Sequence, residues 1–167
     1  HPGNAMVFFP SYAYLSRVDA LLAAEGVPGA AILREARGLT EEEKNALLGA
    51  FDKRDGRTVL LAVLGGAFAE GVDLAGERLQ NVIVVSTGLP QMDARVRAMR
   101  RYHDESGADG AFLCMTLPGM VRVIQSAGRL IRTQSDHGAL LLIDSRYQRG
   151  AERALLSGTL IGDALSG

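Results

Sequence analysis

Short apolar runs alternate with longer amphipathic stretches along the chain, the pattern of strand–helix–strand units around a mostly parallel sheet. Met6-Val7-Phe8-Phe9 predicts a buried first strand closed by Pro10. Ser11 is placed to cap a helix running to about Glu25, on which Leu15, Val18 and Leu22 share a face. Ala30 to Leu33 predicts a second strand. Thr40-Glu41-Glu42-Glu43 then supplies an N-cap, an acidic first turn and a capping box for a helix to about Phe51. After a polar turn at residues 52–56, Thr58 to Leu64 is a continuous apolar run, as expected of a parallel strand covered on both faces, and it leads straight into Gly65-Gly66. Asn81 to Ser86 predicts a further strand closed by Gly88-Leu89-Pro90. Asp93 to about Asp104 reads as an arginine-rich helix, a second helix is expected to follow Pro118-Gly119 and continue to about Arg132, and Gly138 to Ile143 predicts the last strand, ending at Asp144. No repeat or linker interrupts the series. The expectation is one three-layer α/β domain over residues 1–154 with a weakly structured tail over 155–167.

Composition narrows the classes. The chain has 167 residues, of which 47% are hydrophobic and 22% charged, as in ordinary globular domains and unlike disordered ones. Eighteen basic against 19 acidic residues exclude a polybasic binder. The balance is uneven, however: residues 1–90 carry 8 basic and 11 acidic groups, and residues 91–167 carry 10 and 8, so the second half is the positive one. The single cysteine, Cys114, excludes an internal disulfide, a cysteine-built zinc site and a self-contained iron–sulfur cluster, and its apolar neighbours predict a buried small hydrophobe. His1, His103 and His137 lack ligand spacing, so no metal site is expected. No apolar run reaches the roughly 18 residues that span a bilayer, so no membrane partner is expected. The start is not a methionine and lacks the layout of a signal peptide, which suggests a fragment or a processed chain. Glycine is over-represented, at 20 residues.

Four stretches carry candidate chemistry. Gly65 to Asp73 lies directly after a buried strand, where open α/β sheets bind ligands. Gly66 and Gly71 have the spacing of a phosphate-binding loop, but Val72 and Asp73 stand where that loop needs Lys and Ser/Thr. A nucleotide or phosphate contact and a plain tight turn, with Glu70 and Asp73 exposed or locally bonded, both remain open. In Gln125-Ser126-Ala127-Gly128-Arg129-Leu130-Ile131-Arg132, a continuous helix would put Gln125, Arg129 and Arg132 on one stripe, with Gly128 marking a close approach. Two co-facing guanidinium groups suit phosphoryl charge, and no acid stands at i±4 of Arg129, whereas Asp136 stands at i+4 of Arg132. Arg95, Arg97, Arg100 and Arg101 are flanked by acids and read best as a solvated helix face, with a nucleic-acid track as the alternative. Ser11 and Tyr12 open a helix whose free amides suit a phosphate, and Ser11 also fits a plain N-cap.

Taken in order, these stretches resemble motifs IV, V and VI of superfamily 2 helicases, specifically the XPD/DinG group of DNA helicases. Gly3 to Tyr12 resembles motif IV, Gly66 to Asp73 motif V, Gln125 to Arg132 the QxxGRxxR motif VI, and Asp144-Ser145-Arg146-Tyr147 the group's Asp-x-Arg-aromatic strand ending. The resemblance implies a RecA-like fold and the role of second, C-terminal motor domain. Arg129 and Arg132 would then be arginine fingers facing the γ-phosphate, and Gln125 would link nucleotide state to domain closure. Glu70, Gly71, Asp73 and Gly128 would border the nucleotide, and Ser11, Tyr12 and Gly66 would contact single-stranded DNA. ATP and Mg2+ would be shared with a first motor domain of the same polypeptide. That domain would bring the Walker A lysine, the DEAH box and any 4Fe-4S cluster, so this chain alone should not hydrolyse ATP. Ala69 stands where the group often has Ser, and Gln91-Met92 resembles a bacterial subgroup, which implies a cytoplasmic, nucleoid-associated place. The rivals are a stand-alone, non-hydrolysing nucleic-acid or protein binding module, and a glycosyl- or nucleotide-transferring enzyme that would leave the arginines unexplained.

Overall fold

The computed structural model describes residues 3–52, 56–69, 74, 78–130 and 138–159. Five strands, β1 (Ala5–Phe9), β2 (Ala30–Arg34), β3 (Arg57–Val63), β4 (Asn81–Val85) and β5 (Ala139–Ile143), form one sheet in the order β2-β3-β1-β4-β5. Every pairing is parallel, with Phe8 opposite both Ala62 and Val84, and Val82 opposite Leu140. The most apolar strands, β1 and β3, lie in the middle, where both faces are covered. This is a RecA-like α/β architecture.

The helices are α1 (Tyr12–Glu25), α2 (Glu41–Gly49), α3 (Ala94–Glu105), α4 (Leu117–Ala127) and α5 (Gly150–Ser157). Period-2 alternation divides the core. Met6, Phe8, Leu60, Ala62, Val82 and Val84 face a large cluster closed by α2, α4 and α5. Phe9, Leu61 and Val63 face a smaller one closed by Leu15, Val18 and Leu22 of α1. Local capping sets the helix starts. Ser11 accepts from the Tyr14 amide (3.2 Å), Thr40 and Glu43 form a reciprocal capping box, and Asp93 accepts from the Val96 amide (2.8 Å). Helix α3 has no buried residue, as a solvated arginine face requires, and Arg100 pairs with Asp104 (3.6 Å).

Three expectations need correction. The helix expected after Pro118-Gly119 begins earlier: a π-helical segment, Phe112–Thr116, runs directly into α4, so Pro118 lies within a continuous helical run. The same helix stops at Ala127 instead of continuing to Arg132, with Gly128 as its C-cap, so Arg129 lies in the turn beyond it. The packed unit also continues past residue 154, because Leu155 and Leu156 of α5 bury against the main core. Residues 160–167 of the expected tail lie outside the described residues.

Among the described residues no helix is long and apolar enough to cross a membrane.

Candidate functional site

Parallel strands deliver all their C-terminal ends to one edge of the sheet, and the candidate stretches gather there. At this edge Phe9 leads to Ser11 and Tyr12, Arg34 to Glu35, Val63 to Gly65 and Gly66, and Val85 to Gly88. Asn4 marks the opposite edge. Its side chain donates to the carbonyls of Phe51 (3.2 Å) and Arg78 (2.9 Å) and accepts from the Thr58 amide (2.8 Å), so it fastens strand starts and stays far from the site.

A cleft of about 730 Å3 opens between the turn after β3 and the outer side of α4, lined by Gly65, Gly66, Ala69, Lys44, Arg122 and Gln125, among others. Gly65 has φ +75°, in the left-handed region, and a Cβ there would lie 3.2 Å from Nε of Arg122. The Arg122 guanidinium also donates to the Gly88 carbonyl (3.2 Å), so one side chain from α4 spans the ends of β3 and β4. Close contact of α4 with the end of β4 needs Gly119, where a Cβ would meet the Thr87 carbonyl oxygen at 2.5 Å.

Arg129 enters this edge by a route that the stripe reading did not anticipate. From the turn after α4 its guanidinium donates to the Ala69 carbonyl, which ties motif VI to the motif V loop across 60 residues of sequence. Gln125 is exposed on α4 and lines the same cleft. Gly128 is exposed and meets only carbonyls of its own helix, Ile124 at 3.2 Å and Gln125 at 3.7 Å, so among the described residues it ends α4 and admits no close neighbour. Glu70, Gly71, Asp73 and Arg132 lie outside the described residues.

At the neighbouring strand ends, Ser11 is exposed and serves as the cap of α1. Tyr12 is engaged on both sides: its hydroxyl donates to Glu35 Oε1 (2.7 Å), and Arg37 lies 4.4 Å over its ring. Burial, together with the hydrogen bond and charge of Glu35, pushes its phenol up to about 12, against the opposing charge of Arg37. Sequence reasoning missed Glu35, which is 3% exposed. It also missed Arg122. The available signal for Glu35 was an acid placed immediately after a strand at the sheet's functional edge.

The far side of the edge is held by the Asp-x-Arg-aromatic stretch. Asp144 accepts from the Arg146 amide (2.9 Å) and guanidinium (2.7 Å), and Arg146 reaches on to the Ser86 hydroxyl (3.2 Å). The Tyr147 hydroxyl donates to the Ser86 carbonyl. Ser86 has φ +69°, a left-handed conformation that only a well-determined surrounding maintains in a residue with a Cβ. Hydrogen bonding from Arg146 holds the Asp144 carboxyl below its ordinary value, and burial pushes the Tyr147 phenol up.

The donors lining the cleft, guanidinium, ammonium and carboxamide, fit the phosphates of a nucleotide. They do not fit a resident Mg2+, which takes carboxylate ligands, and no cluster of metal-ligating side chains occurs among the described residues.

Residues 1–160 match the model of the helicase C-terminal domain family. The chain is 33% identical over 172 residues to the regulator of telomere elongation helicase 1 homolog of Anopheles gambiae, covering 93% of this chain and 17% of that protein. It is 29% identical over 168 residues to the ATP-dependent DNA helicase chl-1 of Caenorhabditis elegans, covering 97% of this chain and 20% of that protein. The chain thus spans about a fifth of the length of these relatives. Both are animal proteins, so they do not carry the bacterial placement expected from Gln91-Met92. An apo XPD structure superposes with a TM-score of 0.74 at 22% identity, over 93% of this chain and 31% of that one. The second domain of the DEAD-box helicase Mss116p, bound to an RNA duplex, superposes with a TM-score of 0.52 at 16% identity, over 99% of this chain and 48% of that one. The all-parallel sheet and the family match agree: the chain belongs to the helicase C-terminal domain family and has a RecA-like fold.

Proposed function

We propose that this chain is the second motor domain of an ATP-dependent DNA helicase and completes an ATP site shared with the first motor domain of the same polypeptide. The observation that carries the reading is the bond from Arg129 to the carbonyl of Ala69, a residue that lines the cleft together with Gln125 and Gly66. In this reading Arg129 and Arg132 stabilise charge on the transferring phosphoryl group, and Gln125 senses whether nucleotide is present. Glu70, Gly71 and Asp73 belong to the seam between nucleotide and DNA, and Gly128 borders the nucleotide. When bound, ATP with Mg2+ supplies the phosphoryl group, and the first domain supplies the lysine and the metal carboxylates.

Single-stranded DNA crosses the neighbouring strand ends, at Ser11, Tyr12 and Gly66. The free amides at the start of α1 suit a DNA phosphate. Because the Tyr12 hydroxyl is given to Glu35 and Arg37 lies over its ring, its contribution to DNA is its backbone amide. Closing and opening of the interdomain cleft then shifts this DNA-holding surface relative to that of the first domain.

The test is ATP turnover by the purified chain, alone and joined to a first motor domain that carries a Walker A lysine. The expected result is no arginine-dependent hydrolysis by the chain alone and DNA-stimulated hydrolysis in the joined protein. Turnover by the chain alone, abolished by Arg129→Ala, contradicts the shared site. Tight DNA binding by the chain with no gain in turnover on joining favours a stand-alone binding module.

A further inference from the structure

We propose that Glu35 is a positioning residue that makes the turn at Ser11-Tyr12 and the loop at Gly66-Ala67 one mechanical unit. The proposal rests on the reading of both segments as DNA-facing and adds to it the part that keeps them in register. Neither the family motifs nor the pattern of the chain assigns Glu35 a role.

Its backbone is anchored first. Immediately after β2, the Glu35 amide donates to the Leu61 carbonyl (2.8 Å), which continues the ladder to β3 by one more bond. The side chain then runs under the strand ends. Oε1 accepts from the Tyr12 hydroxyl (2.7 Å) and from the Ala67 amide (2.7 Å), and Oε2 accepts from the Val63 amide (2.8 Å). One carboxylate thus holds the first turn of α1, the end of β3 and the loop that begins motif V, segments separated by 23 to 32 residues from Glu35 in sequence.

The chemistry requires a carboxylate. All three contacts are donors, and only a group with two acceptor oxygens and no hydrogens of its own satisfies them together. A glutamine would turn its NH2 toward at least one of the two amides. No Lys or Arg forms an ion pair with Glu35 among the described residues, so its burial is offset by these hydrogen bonds. Room for the carboxylate is made by Gly66, whose Cβ would lie 2.2 Å from Oε1. Arg37 covers the Tyr12 ring from outside, so the turn is held on both sides. A shared acceptor makes displacement of either segment pull on the other.

Residue-resolved amide hydrogen exchange on the chain, with Glu35→Gln and the milder Tyr12→Phe, tests the coupling. Glu35→Gln is expected to raise exchange about 5–30-fold in both residues 12–16 and residues 63–69, while β5 and α5 are unchanged, the range that corresponds to about 1–2 kcal/mol. Tyr12→Phe is expected to raise exchange at the Ala67 amide as well, because both the Tyr12 hydroxyl and the Ala67 amide donate to Glu35 Oε1. Faster exchange in one segment alone, or an equal rise across the whole sheet, overturns the proposal. If Glu35→Gln does not fold, the Ala67 amide in Tyr12→Phe decides. Affinity for a fluorescein-labelled oligothymidylate separates this from the underlying reading. Both variants are expected to weaken binding by similar factors, with the double variant no weaker than Glu35→Gln. If the wild-type chain fails to bind the oligonucleotide, the DNA-facing reading falls and the exchange data alone judge the coupling.

Discussion

Gly66 lies directly against the carboxylate of Glu35: a Cβ on it would sit 2.2 Å from Oε1. Gly66→Ala must therefore displace Glu35 or the loop itself. The expected loss is about 2 kcal/mol, within the range for forcing a methyl into a filled site, read as a lower urea midpoint at unchanged slope. Gly158→Ala is the control, since nothing lies within 4 Å of a Cβ there, and it should unfold as the wild type does.

Asn4→Ala removes a side chain that satisfies two carbonyls and one amide at the edge of the sheet away from the cleft. Leaving these buried groups without partners costs about 3 kcal/mol. The variant should therefore lose thermal stability yet, below its midpoint, bind oligothymidylate as the wild type does. Equal loss of binding well below the midpoint would place Asn4 nearer the site than the fold does.

What could be read from the sequence was what is local. Thr40 with Glu43, Asp93 with Val96, and Ser11 with Tyr14 are contacts within four residues, and the strands announce themselves as apolar runs. The order β2-β3-β1-β4-β5 has no local signal. The spacing from Gln125 places Arg129 on a helix stripe. The helix ends one residue before Gly128, and the side chain is oriented by a carbonyl 60 positions away. Glu35 escaped notice for the same reason, since Tyr12, Val63 and Ala67 become its neighbours only when three strand ends meet. Pro118-Gly119 has the composition of a break, yet the helical run passes through it, and Gly119 is required by the close Thr87 carbonyl.

Asp144 ties its stability contribution to acid. Its carboxyl is held below the ordinary value by the hydrogen bond from Arg146, so the stabilisation is present above the unfolded value, about pH 4, and is lost as pH falls through the folded value. Thermal midpoints of the wild type should fall steeply below about pH 4, and those of Asp144→Asn, lower at neutral pH, should fall less. Parallel curves for the two proteins would remove the pair from the latch on Ser86.

Tyr12 gives the opposite sign at the alkaline end. Its phenol is raised to about 12 by burial and by Glu35, so its contribution is complete below the unfolded value, about pH 10, and declines as pH rises toward the folded one. Tyr12→Phe should flatten the loss of urea stability between these two values. An unchanged slope would mean that its phenol does not stay with Glu35 in solution.

The shared ATP site is tested most directly by DNA-stimulated ATP turnover of Arg129→Ala and Arg132→Ala in a polypeptide carrying both motor domains, measured beside affinity for oligothymidylate. Loss of an arginine finger lowers turnover by ~10³–10⁵-fold. The account predicts a fall of that order in each variant with DNA affinity retained. Wild-type turnover in both would contradict it and leave the bond from Arg129 to the Ala69 carbonyl as a purely structural tie.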